Sequence, residues 1–516
     1  MKNFSFPSCF LSRVRNSAYR KQQVLMLRFI PSTICVLAVI AFVCSVQYDP
    51  FFWDTVQLAS KHAHFFYENS LAWVPLPAEV DSGHPPFLGY YLAVVWTFFG
   101  KTLPASHWAM LPFLLANLWL IYRLGLRLGG PRWAWWLVPL ALLDPVLAGQ
   151  SALVSPDVVL TTWFLLAVEG ILGKNRWFVA VAIAGLCTVS TRGMMTAAAL
   201  GVWSLIIILP NFNACRVALL RCCRLMALHS LPFLPGLLLG TGFLWWHWHF
   251  TGWLGYHPGS PWAGAFERAE GWSFLRNAAV LCWRWSDAGR WAEWAVLCWL
   301  WWITAAPSAT PHPAAAERDS RVLRLLLFLL LFLAPSALLY ANLSAHRYFL
   351  PLFLALHLLV FQRVVSLPAT PNKGLLNSLK RPAVLLSLLI ASLSTGNLWV
   401  YPRGVSMNWD STLAHLPYHA MRQEAVAYLD EQNIDFLTVG TAFPSVNTGE
   451  NLQLNGDQRC FAALDFEKNQ FVLASNIFND LNEPDYLKLE REWYLQKKWQ
   501  HSAGVWMVLY QRKPVE

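Results

Sequence analysis

The 516 residues of the chain are 56% hydrophobic and only 13% charged, whereas roughly a quarter of the residues in soluble domains are charged. This composition excludes an ordinary soluble protein and predicts a polytopic membrane protein. The net charge of +10 does not predict a nucleic-acid partner, because Lys and Arg form short clusters between apolar runs, as topology signals do.

The first apolar run covers residues 29–47 and follows a basic N-terminus over residues 1–28. It is too long for the core of a signal peptide and has no small-residue cleavage site, so we expect an uncleaved first transmembrane helix. The basic residues before it predict that residues 1–28 are cytoplasmic. The polar loop that follows, residues 48–105, would then lie on the outer face.

A second apolar run, residues 86–99, lies within this outer loop. If it crossed the membrane, nearly all later Arg and Lys clusters would face outward, against the positive-inside rule. We therefore predict a short helix that lies in the membrane or re-enters it from the outer face.

Ten further apolar stretches cover residues 106–124, 133–150, 158–173, 177–191, 194–210, 231–250, 291–306, 322–341, 349–366 and 383–400. The predicted fold class is a polytopic α-helical membrane protein with about 11 transmembrane helices over residues 29–400.

Residues 401–516 have the composition of a soluble domain. Helical spacing occurs over residues 413–431 and 485–499, and strand patterns occur over 435–443, 471–477 and 505–512. We predict a small extracytoplasmic α/β domain. Asp410 and His415 lie close to the membrane exit, but the region has no catalytic constellation, so we expect it to cap the active site or to recruit an acceptor.

Two carboxylates stand at predicted helix ends near the outer boundary, Asp54 in FFWDT and Asp157 in LVSPD. An ionised carboxylate is costly there unless it has a partner or faces water, so both are candidate functional residues. The competing explanation for Asp157 is a helix start, with Ser155 as N-cap and Pro156 at the first position. For Asp54 it is an acidic residue in the first turn of a surface helix.

Arg192 and Arg347 interrupt apolar sequence on the same predicted side, and Tyr348 follows the second. A guanidinium forms paired charge-assisted bonds with phosphate, so with the carboxylates they indicate an anionic substrate. The competing explanation for each is snorkelling to the interface. His84 in the outer loop is another candidate. A lone His is usually satisfied by its neighbours, and the loop histidines lack the spacing of a zinc site.

In their order these elements resemble the class C (GT-C) glycosyltransferases, especially the protein O-mannosyltransferases and the bacterial aminoarabinose transferases. The matching elements, over residues 48–360, are Asp54 after the first helix, His84-Pro85-Pro86 later in the same loop, LVSPDVVLTTWFLL, and HRYFLPLF, similar to the family's RYLLP. The family commonly has Asp-Glu at the first site, where this chain has Asp54-Thr55. Any role that needs a second carboxylate would fall to another residue, such as Glu68 or Asp81, or be absent. Three further charged candidates in the loop are Lys61, Glu68 and Asp81.

The resemblance implies transfer of a sugar from a polyprenyl-phosphate carrier to a glycan, lipid or protein acceptor on the outer face. Asp54 would be the general base for the acceptor hydroxyl, and Asp157 would orient the acceptor or a neighbouring cation. The residues expected to bind the donor and stabilise its leaving phosphate are His84, Arg192, Arg347 and Tyr348. The resemblance implies no certain cofactor and leaves the use of a divalent metal open.

The alternative function is a transporter or flippase of lipid-linked sugars. Transporters have broken or polar helices near the bilayer midplane and often an inverted repeat, whereas the charges here gather at one face. A scaffold or sensor is a third reading, in which the C-terminal domain is the working part. We expect a multi-pass protein of a bacterial inner membrane with a periplasmic active site.

Overall fold

The computed structural model describes residues 31–208, 219–257, 259, 263–304, 313–367, 381–403 and 409–514. The predicted cytoplasmic segment 1–28 lies outside the described residues. The helices of the first part are α1 (Pro31–Val46), a π-helix (Val56–Lys61) leading into α2 (His62–Glu68), α3 (Phe87–Phe99), α4 (Leu103–Ala109), α5 (Leu111–Gly129), α6 (Ala134–Leu142), α7 (Pro145–Ala152), α8 (Pro156–Gly173), α9 (Arg176–Val189) and α10 (Thr191–Ile208). Those that follow are α11 (Leu219–Ser230), α12 (Leu234–Thr251), α13 (Trp272–Ser286), α14 (Trp291–Thr304), α15 (Pro313–Leu339), α16 (Leu350–Val365) and α17 (Pro382–Gly396).

Five helical segments of the described chain are long and apolar enough to cross a membrane: Leu103–Gly129, Pro156–Gly173, Met226–Thr251, Ser320–Leu339 and His346–Val365. Shorter apolar helices are Pro31–Val46, Phe87–Phe99, Arg176–Val189, Thr191–Ile207 and Pro382–Gly396. These helices agree with the predicted class. The number of spans, about 11, and the sidedness of the loops stay predictions.

The apolar stretch over residues 133–150 does not form one helix. α6 contains Pro139, and the chain turns before α7 begins. Asp144 caps α7, because its Oδ1 accepts hydrogen bonds from the amides of Val146 (2.9 Å) and Leu147 (3.2 Å). A capping Asp followed by Pro145 at the first helical position ends one helix and starts the next.

The apolar run in the outer loop forms α3, whose 13 residues correspond to a length of about 20 Å. This is shorter than the hydrocarbon core of a bilayer, about 30 Å. α3 packs closely on the start of α2, since a Cβ on Gly89 would lie 2.2 Å from His62 Cβ. The predicted short helix is therefore present, and its position relative to the membrane remains a prediction.

α8 and α16 form the centre of the helical region. In their most apolar windows 72% and 83% of the residues are buried, compared with 17% in the segment that contains α12. A helix that is apolar on all sides is expected in the interior. Asp157 lies in the first turn of α8, and Arg347 lies just before α16, so both functional candidates are carried by interior helices.

The chain after residue 409 forms a five-stranded sheet. The strands are β1 (Val439–Thr441), β2 (Ala462–Ala463), β3 (Phe471–Ser475), β4 (Trp493–Gln500) and β5 (Trp506–Arg512). Their order is β2-β1-β3-β5-β4, in which β1 pairs in parallel with β2 and β3, while β5 is antiparallel to β3 and β4. The accompanying helices are α18 (Pro417–Glu431), α19 (Gly449–Gln453) and α20 (Glu483–Glu492).

Two predicted elements of this region differ from the structure. The predicted helix over residues 485–499 ends at Glu492, because Trp493–Gln500 pairs with β5 and buries Trp493 and Trp499. The predicted strand over residues 435–443 is shortened to β1 by a 3₁₀ turn that Asp435 caps. Tertiary pairing outweighed the helical charge pattern in the first case, and capping outweighed the apolar pattern in the second.

The sheet region docks on the outer loop. Phe52 from that loop belongs to the apolar core of the sheet region. The amide of Phe51 donates to Leu452 O (2.8 Å), and Ser60 Oγ donates to Asn451 O (2.6 Å). Because backbone groups on both sides take part, the two regions form one continuous structure around Asp54.

Candidate active site

The turn before His84 is held by a buried hydrogen-bond contact between Asp81 and His247. Asp81 Oδ2 lies 2.8 Å from His247 Nε2, and Asp81 Oδ1 accepts a hydrogen bond from the amide of Gly83 (2.8 Å). Gly83 has φ +69°, and a Cβ there would lie 2.5 Å from Gly255 O. Asp81 thus contacts His247 and the Gly83 amide, and these contacts fix the turn that precedes His84.

His84 contacts the start of α10, where its Nδ1 lies 3.1 Å from Thr191 Oγ1. Burial, reinforced by the positive charge of Arg192, lowers the pKa of His84 to about 4. The imidazole is therefore neutral at neutral pH. It can donate or accept a hydrogen bond toward a substrate, but it does not contribute a positive charge.

Arg192 lies in the first turn of α10 and faces α8. Its Nη1 donates to Asp157 Oδ1 at 2.9 Å, and its guanidinium lies 4.2 Å from the ring centroid of Tyr348. Ser155 Oγ accepts from the amide of Asp157 (3.1 Å). Ser155 therefore performs the capping that the helix-start explanation required, which leaves the Asp157 carboxylate free to bind a cation.

Arg347 binds carboxylates from three distant parts of the chain. Its Nη2 donates to Asp54 Oδ2 (2.6 Å), its Nη1 donates to Asp410 Oδ2, and its Nε lies 3.9 Å from Asp157 Oδ2. Burial raises the pKa of the Asp410 carboxyl, while the positive charge of Arg347 opposes that rise. The two terminal nitrogens of Arg347 are thus committed to carboxylates.

Asp54 follows a strained residue, since Trp53 has φ +51°. Residues in the left-handed region persist where the surroundings enforce them, and such residues concentrate at functional sites. The Asp54 side chain is 21% exposed, compared with 5% for Asp157 and 9% for Arg347. Among these three groups, Asp54 is the one that a substrate can reach most readily.

A cavity of about 200 Å³ opens beside Asp54. The polar residues that line it include Asp54, Ser82, His84, Thr191, Arg192, Ser336 and Tyr348. An aromatic cluster lines it as well: Tyr256 and Phe266 stack with ring centroids 4.4 Å apart, and Tyr340 packs edge-on against Phe266 at 5.8 Å. The cavity therefore brings a carboxylate, a cation and aromatic surfaces together.

An apolar groove of about 360 Å³ runs next to this cavity. Pro85 and Phe87, which follow His84 in the same loop, line it together with Thr188 of α9 and several apolar side chains of α12. His84 lines the cavity and Pro85 lines the groove, so consecutive residues connect the two. Its α12 side belongs to the least buried of the long apolar segments.

The remaining loop candidates lie elsewhere. Lys61 ends the π-helix, where burial lowers its pKa, and Glu68 is an exposed residue at the end of α2. Neither side chain lines the cavity. Among the residues that the structure describes, no group of three or more His, Cys, Asp and Glu side chains has an arrangement that would hold a metal ion.

The sequence patterns do not assign a site role to Asp410 or to the aromatic residues of the cavity. Asp410 lies in the linking segment after the last predicted span, and no local motif relates it to Arg347. Other polar residues, Asn408 and Ser411, stand beside it, so no signal in the sequence distinguishes it. The aromatic residues come from loops that are far apart in sequence.

The central buried helices, the loop that carries Asp54 and the C-terminal sheet form a fold that is shared with a solved structure. The structure of ArnT from Cupriavidus metallidurans bound to undecaprenyl phosphate has this fold, with a TM-score of 0.50 and 13% identity over 92% of this chain and 98% of that chain. The apo structure of the same protein gives a TM-score of 0.48 and 14% identity over 92% and 97%. No protein-family model and no curated protein sequence matches the chain. The predicted helical membrane fold with a small C-terminal sheet region is thus confirmed, while the number of about 11 spans stays a prediction.

Proposed function

We propose that the protein is a membrane glycosyltransferase that moves a sugar from a polyprenyl-phosphate carrier to an acceptor on the periplasmic side of a bacterial inner membrane. The observation that carries this proposal is the cavity that both Asp54 and Arg192 line. Sugar transfer from a lipid phosphate needs one base and one cation, and the lining of this cavity supplies both.

The donor phosphate would bind at Arg192. Arg192 lines the cavity, and it donates to Asp157 through Nη1. Because a guanidinium has five N–H donors, others remain to bind a phosphate. The adjoining apolar groove would take the first isoprene units of the carrier. The related fold has been seen with undecaprenyl phosphate, which supports a carrier of this chemical class.

Asp54 would act as the general base. In the transfer, the acceptor oxygen bonds to the anomeric carbon, the acceptor proton passes to Asp54, and the bond from the anomeric carbon to the phosphate oxygen breaks. The phosphate keeps the bonding electrons, and Arg192 stabilises the added negative charge. Among the described residues, Arg347 hydrogen-bonds to one carboxylate oxygen of Asp54, so the second oxygen can accept the proton.

The remaining candidates would position these groups. Asp157 holds Arg192 at 2.9 Å, which matches the expectation that it orients a neighbouring cation. Arg347 and Tyr348 were expected to bind phosphate, but Arg347 points its terminal nitrogens at carboxylates. The geometry favours Arg347 as the group that orients Asp54, with Tyr348 stacking under Arg192.

The test is the Asp54→Asn variant, purified and reconstituted with polyprenyl-phosphate sugars and envelope extract from the native membrane. Loss of a general base predicts a transfer rate about 100-fold to 10,000-fold lower, measured as polyprenyl phosphate released together with sugar gained by the acceptor. The matched control is Glu79→Gln, an exposed loop residue, which should keep the wild-type rate.

A folded Asp54→Asn protein with wild-type turnover would remove Asp54 from the chemistry. Movement of the lipid-linked sugar across liposomes in the absence of any acceptor would instead support the transporter alternative.

A further inference from the structure

Asp410 is a buried carboxylate that the proposed reaction has not used. It lies in a 3₁₀ turn, Trp409–Ser411, at the start of the C-terminal region and is 3% exposed. Its Oδ2 accepts from Arg347 Nη1, and its Oδ1 accepts from Ser411 Oγ (3.3 Å). A buried carboxylate is costly unless it is paired, so Asp410 and Arg347 depend on each other.

The backbone around Asp410 is fixed to the helical region by α7. Gln150 Nε2 donates to the carbonyl oxygen of Asp410 at 2.8 Å. A Cβ on Gly149 would lie 2.7 Å from Thr412 N and 3.0 Å from Asp410 O, so α7 and this turn are in direct contact. Gln150 Oε1 also accepts from Ser155 Oγ, which connects the turn to the start of α8.

The Arg347 guanidinium consequently lies between two carboxylates on its two terminal nitrogens, Asp54 on one side and Asp410 on the other. A planar guanidinium that is bound at both ends cannot rotate without breaking an ion pair. Its plane determines where the Asp54 carboxylate is held at the cavity wall. Asp410 itself does not line the cavity, so it acts on the site through Arg347.

We propose that Asp410 is a positioning residue of the transferase site, which holds Arg347 in the orientation that presents Asp54 to the acceptor. This inference rests on the proposed function, in which Asp54 is the base and Arg347 orients it. Asp410 would in turn hold Arg347 in place. It makes the C-terminal region a part of the active site rather than a separate module.

The first measurement is transfer by Asp410→Asn, which keeps the shape of the side chain and removes its charge. A misplaced base predicts a kcat about 100-fold lower, with an unchanged KM for the lipid donor. The double variant Asp410→Asn/Arg347→Gln should be no slower than Arg347→Gln alone, because the two residues act as one unit. Glu424→Gln, on the exposed face of α18, is the matched control.

The second measurement is the affinity of each variant for undecaprenyl phosphate, which requires no sugar transfer. Unchanged affinity in Asp410→Asn is expected, since Arg347 serves Asp54 and not the phosphate. Tenfold tighter binding would overturn the proposal, because Asp410 would then be competing with phosphate for Arg347. Wild-type kcat in Asp410→Asn, or fully additive effects in the double variant, would overturn it as well.

The same set of proteins distinguishes a folding defect, and a failure of the proposed function, from a failure of the Asp410 inference. Thermal unfolding and the trypsin cleavage pattern of Asp410→Asn should match those of Glu424→Gln. If the wild-type protein binds undecaprenyl phosphate but transfers no sugar, the proposed function fails. In that case the binding measurement still decides whether Asp410 holds Arg347 away from phosphate.

Discussion

Two arginines that look equivalent in the sequence have different partners in the folded chain. Arg192 faces the cavity and hydrogen-bonds to one carboxylate, whereas Arg347 is buried and bridges two. The grouping of Asp54, Asp157 and both arginines in one site could be predicted because charged groups at a predicted membrane boundary are conspicuous. Their pairing could not be predicted, since Asp54 and Arg347 are 293 residues apart and no local pattern connects them.

The arginine assignments predict different effects on donor binding. Arg192→Gln should weaken the affinity for undecaprenyl phosphate by about 10-fold to 100-fold, which corresponds to a charged hydrogen bond of about 1.5–3 kcal/mol. Arg347→Gln should leave that affinity unchanged. Calorimetric titration or native mass spectrometry of both purified variants measures this. Equal losses in the two variants would show that both arginines bind the phosphate.

At the scale of elements, the turn before His84 shows how backbone geometry supports the site. The resemblance predicted that a helix follows the triplet His84-Pro85-Pro86. α3 begins at Phe87, directly after that triplet. The contact of Asp81 with His247 and the close approach of Gly83 to Gly255 were not predictable, because the partners lie on α12 and on the loop after it. The break at Asp144 and the strand β4 likewise depend on capping and pairing that apolar patterns do not reveal.

A pair of glycine substitutions tests the packing of this turn. Gly83 and Gly100 both have positive φ, +69° and +88°, but a Cβ at Gly83 meets Gly255 O at 2.5 Å, while a Cβ at Gly100 meets nothing within 4 Å. Each alanine should cost about 1–3 kcal/mol through its backbone. Gly83→Ala should lower the unfolding temperature further and weaken undecaprenyl phosphate binding. Identical melting curves for the two variants would argue against the close contact.

In the whole molecule, the C-terminal region and the outer loop are joined by a second charged contact. Glu450 Oε1 pairs with Lys101 and lies 3.1 Å from His64 Nε2, while its Oε2 accepts from the amide of Gly456 (2.6 Å). Although burial acts to raise it, the bonds from Lys101 and Gly456 lower the pKa of Glu450 to about 2. A domain after the last span was predictable from composition, but its docking on the outer loop was not.

This contact predicts a stability difference that depends on pH. A carboxyl whose pKa is lowered by folding stabilises the folded state above its ordinary value, near 4.5, and loses that contribution as the pH falls toward about 2. Glu450→Gln should therefore unfold at a lower temperature than wild type at pH 7. The unfolding temperatures of the two proteins should converge as the pH falls below about 4.5. Scanning fluorimetry across this range measures the difference. If the difference in unfolding temperature persists at acid pH, the lower stability of Glu450→Gln comes from packing and not from charge.

The most direct test of the transferase account is mass spectrometry of envelope lipids and glycans from cells that lack the protein, with wild-type and Asp54→Asn complementation. The account predicts that one envelope species loses a single sugar residue in the deletion strain while a polyprenyl-phosphate sugar accumulates. Wild-type protein should restore the species, and Asp54→Asn protein should not. An unchanged envelope in the deletion strain, or full restoration by Asp54→Asn, would contradict the account.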